Sequence, residues 1–213
     1  MSAATTAPPP EPMTPEQFRE ETGVSRETVR RLERYVQALE HWQRRINLVG
    51  RASLADLWRR HMLDSAQLLP LIPAGATRLI DLGSGAGFPG LVLAILGVPE
   101  VHLAESDARK CAFLREVARL TETGTVTVHN RRVEEMAAEP FDVVTARALA
   151  PLAELLPLAG RFAGPQTVFL FPKGRGIAEE LIRTPETATM RPELIPSRTE
   201  PGAAILKLEP GFT

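Results

Sequence analysis

Asp81-Leu82-Gly83-Ser84-Gly85-Ala86-Gly87-Phe88-Pro89-Gly90 decides the fold. The short run from Arg78 to Asp81 reads as a strand, and Gly90 to Leu96 reads as the start of a helix. Between them, Gly83, Gly85 and Gly87 let the backbone turn tightly and let a ligand approach without a β-carbon in the way, while the amides of the following helix point into the same space. Strand, glycine turn and helix form the opening unit of a doubly wound sheet, in which ligands bind at the carboxyl ends of the strands. Asp81, at the strand end, is expected to accept from an amine or hydroxyl, directly or through water. Glu105 ends the next strand, about 20 residues beyond the glycines, where an acidic residue can hold both hydroxyls of a ribose. Together they predict a site for an adenosine-bearing cofactor.

Downstream the texture continues as short β-rich runs alternating with helical stretches. Strands are expected at 101–105, 125–129, 141–146 and 167–171, with helices near 107–120, 151–160 and 177–182. That alternation argues for a parallel sheet covered by helices on both faces. Residues 193–195 and 203–208 supply two closing strands, read as an antiparallel hairpin.

Upstream lies a helical cap. Thr14-Pro15-Glu16-Gln17 is a helix start, with a capping Thr, proline at the first helical position and Gln at the third. Val29, Leu32, Val36 and Leu39 recur at helical spacing and predict a helix over 26–45, joined on its broad apolar face by Tyr35, Trp42 and Ile46. A third helix, beginning after Ser53, carries Leu57, Trp58, Met62, Leu68 and Leu69. Residues 1–12 are Ala, Thr and Pro with few bulky apolar side chains, a composition that predicts a disordered tail. The expected organisation is therefore a tail over 1–12, a cap over 13–72 and a Rossmann-like core over 73–213.

Composition excludes several classes. A chain of 213 residues with 44% hydrophobic content can bury a real core. Its one cysteine, Cys111, cannot form an internal disulfide and is expected in the core rather than as a nucleophile. The N-terminus does not resemble a signal peptide, and no apolar stretch approaches the roughly 20 residues of a membrane-spanning helix, so the expected location is the cytoplasm, without a membrane partner. The net charge is −1, yet residues 26–61 carry nine arginines against four acidic residues. Arg30, Arg31 and Arg34 on the cap are candidate phosphate contacts. Trp42 and Trp58 are read as packing residues. No cluster of His or Cys suggests a metal, and His61 and Asp64, three apart on one helix face, are read as a hydrogen-bonded link from helix to sheet.

Gly85-Ala86-Gly87-Phe88-Pro89-Gly90 formally fits the G-x-G-x-x-G pattern of a nicotinamide dinucleotide enzyme. Asp81, two residues before the first glycine, instead suits a cofactor bearing a free amino acid group, and the 123 residues after Gly90 leave little room for a separate substrate domain. The preferred reading is an α/β, Rossmann-like, S-adenosylmethionine-dependent methyltransferase. Arg147 at the carboxyl end of the strand 141–146, and Lys173 after the strand 167–171, are placed to meet a phosphate, a base edge or the cofactor.

His61-Met62-Leu63-Asp64-Ser65, the glycine segment 81–90, Arg131-Arg132-Val133-Glu134-Glu135, Thr145-Ala146-Arg147-Ala148 and Pro172-Lys173-Gly174 together resemble the RsmG (GidB) family. The resemblance spans Tyr35 to Gly176 and is weak on either side. It implies transfer of a methyl group from S-adenosylmethionine to N7 of a guanine in 16S ribosomal RNA, with that RNA or the small ribosomal subunit as partner; a monomer is the default expectation. It further implies that Gly83 and Phe88 contact the cofactor, with Asp81, Gly85 and Glu105 in the same site. Val133 and Glu134 would border the adenine, and Arg147 would lie near both cofactor and incoming base. Glu105 stands where the family commonly has an acidic residue, often Asp. Guanine N7 attacks with its own lone pair, so the reading requires no general base; Arg147 and Lys173 orient, and Lys173 with the cap arginines contacts RNA. The alternative is a methyltransferase acting on a small molecule or another RNA.

Overall fold

The computed structural model describes residues 11–210. Most of the expected tail therefore lies outside the described residues; at its end the Glu11 carbonyl accepts from Arg59 Nη2 at 3.0 Å. Helix α1 (Pro15–Thr22) starts on the expected capping box, with the Thr14 hydroxyl accepting from the Gln17 amide and the Gln17 side chain accepting from the Thr14 amide. Helix α2 (Arg26–Gln43) buries Val29, Leu32, Tyr35 and Leu39 along one face. It ends two residues before the expected Arg45. The Gln43 side chain accepts from the amides of Leu48 and Val49 and donates to the Val49 carbonyl, bending the chain out of the helix.

The expected third helix is a composite: α3 (Arg51–Leu54), a π-helical turn over Trp58–Leu63, and α4 (Asp64–Ala66). In the π turn the Asp64 amide reaches back five residues to the Arg59 carbonyl. Such a wide turn admits an extra residue, a departure that hydrophobic periodicity does not reveal and that is frequent at functional sites.

Seven strands follow: β1 (Arg78–Leu82), β2 (Glu100–Glu105), β3 (Val126–Asn130), β4 (Phe141–Ala146), β5 (Ala163–Lys173), β6 (Met190–Pro196) and β7 (Ala204–Pro210). Interleaved helices are α5 (Gly90–Ile95), α6 (Ala108–Leu120), α7 (Leu152–Gly160) and α8 (Ile177–Ile182). The sheet order is β3-β2-β1-β4-β5-β7-β6. Strands β1 to β5 are parallel and β7 is antiparallel to β5, so the final hairpin enters with its second strand inside and β6 at the edge. Order reverses between β2-β1 and β1-β4, which puts the switch point beside the glycine turn.

Strand alternation divides the core. Leu79, Val101, Leu103, Val143 and Leu170 face α5, α6 and the N-terminal helices, which contribute Phe18, Leu32, Leu39, Met62 and Leu68 to the same cluster. Ile80, Leu82, Val144, Phe169 and Phe171 face the other way, with Leu152 and Leu155 of α7. Trp58 packs on Phe18 and Trp42 on Phe113, and Cys111 is buried, so all three serve packing.

Tyr35 ties α2 to the glycine turn. It is fully buried, its hydroxyl donates to the Ala86 carbonyl, and its ring stacks with Phe88 at 5.2 Å. Tyr35→Phe leaves that buried carbonyl unpaired, and the expected loss is about 1–3 kcal/mol in chemical denaturation, with the native secondary structure retained.

Candidate cofactor and substrate site

The glycine turn forms the floor of a cleft of about 800 Å3 at the carboxyl ends of the parallel strands. Gly83, Gly85 and Gly87 all have positive φ, at 64°, 57° and 93°, the left-handed region that favours glycine. Gly83, Gly85 and Phe88 line the cleft, joined from β2 by Glu105 and from the turn after β3 by Val133 and Glu134. Glu105 shapes the turn: one oxygen accepts from the Gly85 amide at 2.9 Å, the other from the Asp107 amide at 2.8 Å. Val133 gives this end an apolar wall, while Glu134 stays exposed.

Asp81 is placed otherwise than expected. Its side chain is fully buried beneath the turn rather than facing the cleft, with one oxygen accepting from Thr145 Oγ1 at 2.7 Å and the other from the Gly90 amide at 3.3 Å. A β-carbon at residue 90 would lie 2.7 Å from the Asp81 β-carbon, so Gly90 is what lets the helix start seat on that carboxylate. Burial pushes the carboxyl up to about 6, against the hydrogen bond from Thr145. Asp81 thus joins β1, β4 and α5, and leaves no oxygen turned toward a ligand.

Arg147 stands just past β4 at the opposite end of the cleft and is gripped by the cap. Its Nη1 donates to Asp64 Oδ2 at 3.2 Å and to the Arg60 carbonyl at 3.3 Å, its Nη2 lies 2.9 Å from His61 Nδ1, and its guanidinium sits 5.1 Å from the centre of the Phe88 ring. A guanidinium only donates, so His61 Nδ1 must accept and Nε2 must carry the proton, which reaches Ser53 Oγ at 2.8 Å. Ser53 in turn donates to the Gly50 carbonyl at 2.8 Å. His61 also stacks with Phe88 at 4.7 Å. Burial, then the charges of Arg147 and Arg60, lower its pKa to about 3. The second oxygen of Asp64 accepts from Thr199 at 2.7 Å and Gln67 at 3.0 Å. The link from His61 and Asp64 to the sheet is real, and Arg147 is where it lands.

Lys173 lines the cleft but is committed to the protein. Its ammonium reaches both oxygens of Glu180, at 3.1 and 3.3 Å, and the Ala150 carbonyl at 3.3 Å, with 12% of the side chain exposed. Where the sequence suggested an RNA contact, the three donors brace the loop after β4. The cap arginines also have other work. Arg31 donates to the carbonyls of Thr121 and Ile95, clamping α2 onto the carboxyl ends of α6 and α5, and Arg34 donates to the Leu120 carbonyl and Glu122 at the end of α6. Arg30 pairs with Glu27 on the surface. None of the three lines the cleft.

Several lining residues were not singled out from the sequence. Ser53, Leu149, Ser197, Thr199 and Glu200 surround the Arg147 end. The last three belong to the β6–β7 connection, which the cap holds through Asp64–Thr199 and through Arg60–Glu200 at 2.6 Å. No local motif marks them; the hairpin brings them in from more than a hundred residues away. Arg131 and Arg132 line the other end, exposed, their side chains without an ion pair or hydrogen bond among the described residues. Two adjacent cations directly before Val133 were the legible signal for these.

The fold and the glycine-floored cleft define a Rossmann-like methyltransferase. Among solved structures, the chain resembles the ribosomal protein L11 methylase of Lactobacillus delbrueckii subsp. bulgaricus, with a TM-score of 0.59, 13% identity and coverage of 70% of this chain and 77% of that one. It also resembles Aeropyrum pernix fibrillarin in complex with natively bound S-adenosyl-L-methionine, at a TM-score of 0.55, 18% identity and coverage of 70% and 75%. At these identities the likeness speaks for the fold. The sequence itself is more particular. The family model GidB, rRNA small subunit methyltransferase G, matches residues 28–200, and the chain belongs to that family. It is 59% identical over 191 residues to ribosomal RNA small subunit methyltransferase G of Rhodospirillum centenum, covering 90% of this chain and 88% of the relative. The namesake protein of Rhodospirillum rubrum is 57% identical, with coverage of 92% and 97%.

The His61 environment gives a pH prediction. Its folded pKa, about 3, lies below the ordinary 6.5, so the stability it contributes is complete above pH 6.5 and is lost progressively as pH falls toward 3. Long-range 1H–15N NMR at pH 5 is expected to find His61 neutral, with the proton on Nε2. A protonated or Nδ1–H ring would overturn the assigned network.

Proposed function

We propose that this chain transfers the methyl group of S-adenosylmethionine to N7 of a guanine in 16S ribosomal RNA, acting on the small ribosomal subunit as a cytoplasmic monomer. Family membership supports a ribosomal RNA substrate and S-adenosylmethionine as the methyl donor. No helix among the described residues is long and apolar enough to cross a membrane. In this reading residues 13–72 form a cap that shapes one end of the site on the core that follows.

The residues fit the cofactor. Gly83 and Gly85 offer backbone with no β-carbon, Glu105 offers the remaining lone pairs of its carboxylate to ribose hydroxyls, and Val133 with Glu134 borders the adenine. When bound there, the cofactor supplies an electrophilic methyl on a sulfonium.

The observation that carries the reading is the absence of an available base among the described residues at the Arg147 end. His61 has both ring nitrogens engaged and resists protonation, Asp64 is held by three donors, and Glu200 is paired with Arg60. Guanine N7 needs none, because its lone pair attacks the methyl directly. The protein's task is then to hold N7 in line with the methyl. Arg147 uses three N–H groups on the cap, and its two remaining donors can fix a base edge or phosphate without removing a proton. Arg131 and Arg132, at the other end, supply uncommitted charge for the RNA backbone.

Incubation with methyl-labelled S-adenosylmethionine and small subunits from a strain lacking the gene, followed by cleavage at N7-methylguanine, is expected to map the label to one guanine. Label confined to small molecules, or to another atom of the RNA, would refute the reading. Arg147→Ala is expected to lower kcat by roughly 100-fold or more with the fold intact by circular dichroism. Joint charge reversal of Arg131 and Arg132 to Glu is expected to weaken subunit binding and to reduce the log–log salt slope by roughly 1 per arginine.

A further inference from the structure

Leu149, Ile182 and Leu194 are the large apolar side chains left exposed among the described residues, and Leu149, at 37% exposure, is the one that lines the cleft. It lies on the cofactor turn. A β-carbon at Gly83 would come within 2.5 Å of Leu149 Cδ1 and 3.2 Å of its Cγ, so the missing β-carbon is what admits the side chain. Leu149 follows Ala148, whose φ of 54° is left-handed for a residue that is not glycine. Such a conformation persists only where the surroundings impose it, and it tends to mark ligand sites.

The surroundings do impose it. On one side Arg147 is fixed by His61, Asp64 and the Arg60 carbonyl. On the other, Lys173 holds the Ala150 carbonyl and Glu180 accepts from the Leu152 amide. Braces on residues 147, 150 and 152 therefore bracket one apolar side chain that is left facing solvent. A loop tied down so thoroughly could have buried its leucine, yet it presents it on the glycine floor of the cleft that Arg147, two residues earlier in the chain, also lines. That is an apolar surface beside a hydrogen-bond donor, the two things a nucleobase taken out of its stack needs: contact for its face and a partner for its edge.

We propose that Leu149 is the platform on which the face of the target base rests, holding it over Gly83 within reach of the methyl donor. The proposal builds on the RNA methyltransferase reading above and adds the base-contacting residue. Bond making stays as described there: the N7–methyl bond forms as the sulfur–methyl bond breaks, and the electron pair goes to sulfur.

Two experiments on the full chain test it. In steady-state assays with small subunits, Leu149→Ala is expected to lower kcat/KM by roughly 10- to 100-fold, with S-adenosylmethionine affinity by calorimetry within about twofold of wild type. Leu149→Phe, which keeps a broad apolar face, is expected to restore most of the loss. Unchanged turnover in Leu149→Ala, or an equal loss of cofactor affinity in both variants, overturns the platform. The second experiment does not depend on turnover: p-benzoylphenylalanine is placed at position 149 and photolysed with small subunits. A crosslink at the nucleotide that wild type labels, or its immediate neighbour, supports the proposal; scattered or absent crosslinks overturn it. If wild type labels a base other than guanine and the crosslink falls on that base, the guanine reading fails and the platform stands.

Discussion

The guanidinium of Arg147 is the point on which the molecule's parts converge. It follows β4, so the parallel sheet fixes its backbone, yet every partner of its hydrogen bonds comes from the N-terminal helices: the carbonyl of Arg60, the ring of His61 and the carboxylate of Asp64. It also lies over Phe88 of the glycine turn, which stacks with His61 and Tyr35. N-terminal helices, glycine turn and post-β4 loop are thereby joined through one side chain whose planar fork can serve several acceptors at once.

The charge arrangement around it is economical. One carboxylate, Asp64, balances the guanidinium, and the third contact is a neutral imidazole kept neutral by burial and by the very cation it touches. The cation is oriented by one carboxylate, one carbonyl and one neutral ring rather than by a surround of anions. Lys173 and Glu180 repeat the scheme one strand away, where an ion pair with little exposure braces loop backbone. In both cases a charged residue at a strand end is bound first to the protein's own loops and helices.

Much of this was legible in local sequence. The ordered strands, the glycine turn, Glu105 in register and the capping box at Thr14 all rest on interactions within a few residues or on periodicity, and the structure follows them closely. The polar groups whose surroundings differ from expectation share one cause. Asp81, Lys173, Arg31 and Arg34 were correctly recognised as polar groups at strand ends or on a helix, but a sequence does not say which partner claims them. Asp81 is claimed by Thr145 and Gly90, Lys173 by Glu180 and Ala150, and the two arginines by carbonyls at helix ends.

What the sequence by itself determined was the fold class, the place of the glycine turn and the kind of cofactor the chain uses, because each depends on backbone freedom at glycines and on short-range alternation. Only the tertiary structure decided which polar side chains face the cleft, that the last hairpin enters with β7 inside, that the third helix opens into a π turn, and that Leu149 is left over the glycine floor. These depend on contacts between residues far apart in the chain, where packing geometry and competition for hydrogen bonds choose among partners that the linear order leaves equivalent.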